Sequence, residues 1–253
     1  MHSMPQDPIA DERRPRSPRS VLSWLLVTIG VLLVVLLVAG GVLFQAFGAA
    51  FRARMQREEC AERLKKIGTA LQNYHDEHSA WPPAVVSDSN GRPMHTWRVL
   101  ILPHLGTEEE KLYKQYHFDE PWNGPRNSEL AEQMPEVFGC LLDPNADLSQ
   151  TSFLALVDPV TGDFAVHPPD PNVTPAPPTP KPPFIVVEVA ESGVNWLEPK
   201  DLVLGGKPTA WPMASPPVEL SYHVGKSHVL VDDLTAKETP ADEVRAALVS
   251  DGQ

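Results

Sequence analysis

The sequence predicts an α+β fold in which a single transmembrane helix runs on, without a break, into a long amphipathic helix packed against a domain of strands and short helices. Three observations predict it. Residues 21–51 contain no Asp, Glu, Lys, Arg or His. Side chains suited to burial then recur at Cys60, Leu64, Ile67, Leu71, Tyr74 and His78, in alternating steps of four and three, which trace one stripe of a helix. Farther on, segments rich in Val and Ile alternate with period two, as half-buried strands do.

The apolar run is densest over residues 21–47. About 20 apolar residues suffice to cross a bilayer core. A cleaved secretory signal has an apolar region of only about 7–15 residues ending in small side chains, and here Ala49-Ala50 come late. An uncleaved span over 21–47, behind a short cytoplasmic tail at 1–20, is therefore the expectation. Residues 48–253 form the extracytoplasmic domain in this reading. Arg13, Arg14, Arg16 and Arg19 precede the span, but Arg52, Arg54 and Arg57 follow it, so the flanking charge is nearly balanced. Long domains translocate despite such balance, which places the N-terminus inside and the body outside the inner membrane.

Formal net charge is −12 and is unevenly spread: residues 1–20 carry +1, residues 52–66 carry +3, and residues 67–253 carry −16. An acidic body of this kind repels phosphate backbones, so a nucleic-acid partner is not expected. The membrane itself, through residues 21–47, is the first expected partner.

No proline lies between Val21 and Trp81. The membrane helix is thus expected to continue into the amphipathic one, whose polar face carries Glu62, Lys65, Lys66, Gln72, Asp76 and Glu77. Pro82-Pro83 ends it, because consecutive prolines remove donors and push the preceding residue out of the α region. The segment 94–105 holds a short apolar stretch closed by Pro103, and 106–118 reads as a helix with Thr107 as its N-cap and acidic residues in the first turn. Residues 168–183 contain nine prolines in sixteen positions and read as an extended, exposed loop within the body. Strands are expected at 184–190, 218–223 and 228–234, the last two joined by a hairpin with Gly225 at its turn. Thr239-Pro240 should open a final helix that turns Val244, Ala247 and Leu248 inward.

Taken in order, "ECAERLKKIGTALQNYHDEHSAWPPA", "TWRVLILPHL", "LYKQYHFDEPWNGPRN", "VFGCLLDPNA", "FIVVEVAESGVNWLEPKDL" and "SYHVGKSHVLVDDLTAKETPADEVRAAL" resemble the prepilin-like proteins of the domain of unknown function 1559, a large bacterial family expanded in planctomycetes. The resemblance covers the chain from about residue 50 to its end. It implies a pilin-like plan, with the long helix half in the membrane and half on an antiparallel sheet. It also implies a C-terminal signature of His, nine residues, then Asp-Gly; His223 and Asp233 hold that spacing, but Leu234 stands where Gly is usual. The family's prepilin cleavage signal, Gly-Phe-Thr-x-x-Glu, is replaced by "RSPRSVLSWLLVTIG". Without that Gly no processing is expected. Without that Glu, which in pilins pairs with a neighbouring subunit's N-terminal amine, a filament contact is missing.

Chemistry-bearing clusters are sparse. His75 and His78 share a helix face, yet the run lacks the His-Glu-x-x-His spacing of a zinc helix, and His78 is expected to pack beneath the sheet. Asp232 and Asp233, with His223 and His228 nearby, form at most a weak calcium or small-ligand candidate, against solvated carboxylates at a strand end. Glu188, Glu191, Glu198 and Asp201 are carboxylates without a discernible partner base or nucleophile. No nucleophile elbow, phosphate loop or dinucleotide fingerprint occurs, so no enzyme, catalytic residue or cofactor is expected. Cys60 and Cys140 read as a disulfide tying the long helix to the body; closing so long a loop contributes about 4 kcal/mol in the chain-entropy account. Trp81, Trp97, Trp122, Trp196 and Trp211 are read mostly as core anchors, with stacking on sugars as the other role.

The expected protein is a structural or interaction module of the cell envelope or a secretion apparatus. The alternative is an extracytoplasmic protein that binds carbohydrate or calcium.

Overall fold

A computed structural model describes residues 18–142, 149–158, 161–165, 184–203 and 226–249. The chain divides into two compact units, Met1–Ala53 and Arg54–Gln253. Helix α1 (Pro18–His78) is 61 residues long and contributes to both. In the first unit its Leu, Val, Ile and Phe side chains are exposed throughout, from Leu22 to Phe51. Their stretch reaches a mean hydropathy of 2.9, long and apolar enough to cross a membrane. Such a surface is unfavourable in water and satisfied in lipid, where a helix also meets its own backbone hydrogen bonds.

In the second unit α1 buries the expected stripe. Cys60, Leu64, Ile67 and Leu71 are buried, as are Gly68 and Ala70 between them. Each fully buried Leu or Ile contributes about 1.5–3 kcal/mol of transfer free energy. The helix stops at His78 because Ser79 turns into the left-handed region (φ 55°) while its N–H still donates to the His75 carbonyl. Pro82-Pro83 then bar any restart.

A hairpin follows, β1 (Val85–Ser87) and β2 (Pro93–Thr96), paired antiparallel. Its turn is pinned by Asp88, whose carboxylate accepts from the Asn90 and Arg92 amides, and by Gly91 at φ 77°. Next come α2 (Trp97–Leu100), a 3₁₀ turn (Leu102–His104) and α3 (Thr107–Gln115). Gly106, not Thr107, caps α3; Thr107 is already helical, and Glu108, Glu109 and Glu110 fill the first turn as expected. Two further 3₁₀ segments, Asn127–Gln133 and Glu136–Phe138, precede Cys140.

The main sheet is built from β3 (Phe153–Val157), β4 (Phe184–Glu188), β5 (Leu202–Val203), β6 (Lys226–Val231) and β7 (Ala236–Pro240), in the order β5-β3-β4-β6-β7. It is antiparallel except at one edge, where β5 lies parallel to β3. Strands β3 and β4 are buried along their whole length and read as apolar runs, broken only by Glu188 at the end of β4. One face, with Phe153, Ala155, Val157, Ile185 and Leu230, joins a cluster with Leu64, Ile67 and Leu71 of α1. The other, with Leu154, Leu156, Val187, Val229 and Val231, is covered by Val244 of α4 (Ala241–Val249), with Ala247 and Leu248 beside it. The predicted start of this last helix is one position early: Pro240 still belongs to β7, and Ala241 begins the helix.

Leu234 sits at φ 59° in the β6–β7 turn. That left-handed backbone is one Gly takes freely, and it costs a Leu about 1–2 kcal/mol. The proline-rich stretch 168–183, the expected strand 218–223, Gly225 and His223 lie outside the described residues.

Candidate functional site

The last turns of α1 gather aromatic and titratable side chains. The His75 ring stacks on Trp81, with centroids 4.4 Å apart. His78 does not pack beneath the sheet as its place on the stripe suggested; it is exposed, stacked on Tyr74 at 4.1 Å. The apolar stripe reaches its limit at Tyr74, itself only half-buried, and what meets the helix there is the 3₁₀ segment Leu102–His104 rather than the sheet. That segment brings His104 against the same corner, its ring edge-on to Tyr74 at 5.8 Å and to His78 at 6.2 Å. Glu77 Oε2 lies 3.9 Å from His104 Nε2. Burial holds the His104 imidazole below its ordinary pKa, against the pull of Glu77. Beside this corner is an open cleft of about 570 Å³ lined by Asn73, Asp76, Glu77, Pro103, His104, Leu105, Gly106, Thr107 and Glu110.

A second cluster is fully buried. Cys60 of α1 and Cys140 of the loop after the 3₁₀ segments approach to 2.7 Å between sulfurs, as two thiols in hydrogen-bond contact rather than the predicted disulfide. The Glu188 carboxylate at the end of β4 lies with them. It accepts from the His228 amide (3.2 Å) and from His228 Nδ1 (2.7 Å) across the β4–β6 pair. Hydrogen bonding to Cys60 and burial push the Cys140 thiol above its usual pKa.

The deepest polar contact was not foreseen as a pair. Arg98 and Asp201, both essentially without exposed side-chain surface, meet at 2.6 Å. Asp201 also accepts from the Ala155 amide (2.7 Å) and the Trp97 indole (3.2 Å), while Arg98 donates to Thr96 and to the Phe153 carbonyl. Burial raises the Asp201 carboxyl and lowers the Arg98 guanidinium, and their mutual attraction opposes both shifts. A pair so fully hydrogen-bonded and closed to solvent pins β2, α2, β3 and the loop before β5 together; it has no face on which to do chemistry. No spacing in the sequence links residues about a hundred positions apart, so only the fold reveals it.

The remaining candidates fall apart geometrically. Asp233 accepts from the amide and hydroxyl of Thr235 and acts as a turn anchor, those donors holding its carboxyl low. Among the described residues two groups of three potential metal-ligand atoms occur, Cys60–Cys140–Glu188 and Glu77–His78–His104, and neither includes Asp232 or Asp233. His228 faces Glu188 instead of those aspartates. Glu191 is exposed and Glu198 half-buried. Trp97 and Trp196 are wholly buried and serve the core; Trp81 and Trp122 are half-buried against it. Trp211 lies outside the described residues.

A family model described as a protein of unknown function, DUF1559, matches residues 49–181, more than half of the 253-residue chain. The chain belongs to the DUF1559 family. The DUF1559 match begins at the amphipathic half of α1 and takes in the β1–β2 hairpin, α2, α3 and β3. Cys60, Cys140, Arg98 and the Glu77–His78–His104 corner thus lie inside it, while Glu188, Asp201, His223 and Asp233 lie past its end. No curated protein and no solved structure matches the chain.

Proposed function

We propose that this DUF1559 protein is a non-catalytic, membrane-anchored module of the bacterial cell envelope, held in the inner membrane by residues 21–47 and retained without prepilin-type cleavage. Its N-terminus lies in the cytoplasm, and its body works outside as a structural or interaction partner of envelope or secretion-apparatus proteins. The observation that carries this reading is helix α1: an exposed apolar segment and a segment with a buried stripe belong to one 61-residue helix. A helix that is apolar and exposed in one part and striped in the other supports a pseudopilin-like reading, while the Gly and Glu that processing and filament contacts require are missing from the sequence around the apolar run. An acidic body disfavours nucleic acid as a partner.

A Cys60–Cys140 bridge belongs to the same reading. Two buried thiols already in contact would close in an oxidising compartment and tie α1 to the loop ahead of β3.

The test is the intact mass of the protein extracted from membranes of its own cells, combined with protease treatment of spheroplasts. The full chain mass, with or without Met1, together with digestion of the body from outside, is the expected result. A mass lacking the residues ahead of the apolar run would instead make processing and pilus-type assembly its function. Protection of the body would reverse its orientation.

A further inference from the structure

We infer that Glu77, His78 and His104 form a binding site for a zinc-class divalent ion at the C-terminal end of α1. The inference stands independently of the membrane reading, since every residue in it belongs to the body. One ligand atom from each of the three side chains lies within 4.8 Å of the other two. The donor set, two imidazoles and one carboxylate, is that of open zinc sites, which keep a fourth position for water or an outside ligand.

The local geometry prepares the two imidazoles for this role. His78 Nδ1 lies 3.0 Å from the Tyr74 carbonyl. A carbonyl only accepts, so Nδ1 carries the proton and Nε2 keeps the lone pair that can bind a metal. This is how metal-binding histidines are usually oriented by their second nitrogen. Tyr74 stacks on His78 and stands edge-on to His104, which limits the rotation of both rings. His104 Nε2 already faces Glu77 Oε2 at 3.9 Å.

Ligand atoms on a tetrahedral zinc are about 3.3 Å apart, given metal–ligand bonds of about 2.0–2.1 Å. The three groups therefore need to draw in by no more than about an ångström and a half. Glu77 and His78 are exposed and have room to do so. The setting favours a cation twice over. Glu77 and His78 occupy the last turn of α1, where the helix dipole is negative. Asp76 and Glu110 line the adjoining cleft, adding negative charge on the side from which an ion would enter.

The experiment uses the full-length protein, metal-free in detergent micelles, titrated with zinc chloride by calorimetry and with cobalt chloride by absorption spectroscopy. One zinc per chain is expected, with cobalt giving visible ligand-field bands and no near-ultraviolet thiolate band. His78→Ala and His104→Ala should each weaken zinc binding by about 100-fold. His75→Ala, outside the cluster, should leave it unchanged. His78 is exposed, so His78→Ala decides the matter even if His104→Ala unfolds the body. Undiminished binding in His78→Ala, a thiolate band pointing to Cys60 and Cys140, or no binding at all would each overturn the assignment.

Discussion

The carbonyl oxygen of Leu234 occupies the space beside Gly68 so closely that a Cβ on Gly68 would lie 2.9 Å from it. Leu230 Cδ1 would be 3.0 Å from the same atom. The β6–β7 turn thus rests directly on the backbone of α1, and two unusual choices meet there: a glycine in mid-helix and a leucine with a left-handed backbone.

Gly68→Ala is expected to destabilise the body. In an exposed helix the change would add about 1 kcal/mol of helix propensity. Here the new methyl meets a backbone carbonyl that can move only with the turn, and overpacking of this kind costs about 1–3 kcal/mol. Denaturant unfolding of the variant should give a lower midpoint than the parent. A higher one would mean that the turn yields freely.

Breaking the Arg98–Asp201 pair from one side should be severe. Asp201→Leu or Arg98→Met leaves an unpaired charge in a site without solvent, a loss of about 3–5 kcal/mol. The double variant should recover much of it, because an apolar pair strands neither charge. A double-mutant cycle read by urea unfolding tests this, and simple additivity of the two losses would contradict it.

Acid should weaken the body partly through His95. Burial depresses this imidazole's pKa; it hydrogen-bonds the Tyr116 hydroxyl at 2.9 Å and lies edge-on to Phe118. A depressed folded value means the unfolded chain takes the proton first. The stabilisation is therefore present above the unfolded pKa of about 6.5 and is lost as pH falls through the folded one. His104, depressed for the same reason, acts with the same sign. Unfolding midpoints should drop between neutral and mildly acidic pH, and His95→Gln should make that drop shallower. An unaltered slope would remove His95 from the account.

Protein isolated from an oxidising compartment should unfold at a lower midpoint after reduction. Loss of a Cys60–Cys140 bridge that spans 80 positions removes about 4 kcal/mol in the chain-entropy account. Cys60→Ser should unfold at the same midpoint with and without reductant. An equal midpoint for the oxidised and reduced parent would leave the pair as two thiols.

The local elements were legible wherever a periodic pattern or a stop signal marks them. The stripe from Cys60 to Leu71 fell on the buried face of α1, the chain turned before Pro82-Pro83, and the apolar runs at 184–190 and 228–234 produced β4 and β6. Boundaries were less legible: Gly106 caps α3 in place of Thr107, and Pro240 closes a strand instead of opening a helix. A cap is decided by the backbone angles of one residue, which composition constrains weakly.

His78 shows the same limit on the site. Its place on the stripe predicted burial, yet the body stops short of it, and whether a stripe residue is covered depends on what lies across from it. The amino-acid order alone determined the apolar span, the amphipathic continuation and the strands β4 and β6, because each rests on periodicities that neighbouring residues set through backbone geometry. Only the tertiary structure decided that His104 joins Glu77 and His78, that Arg98 meets Asp201, and that Leu234 lies on Gly68. Those encounters bridge long separations along the chain and follow from packing, which no local pattern records.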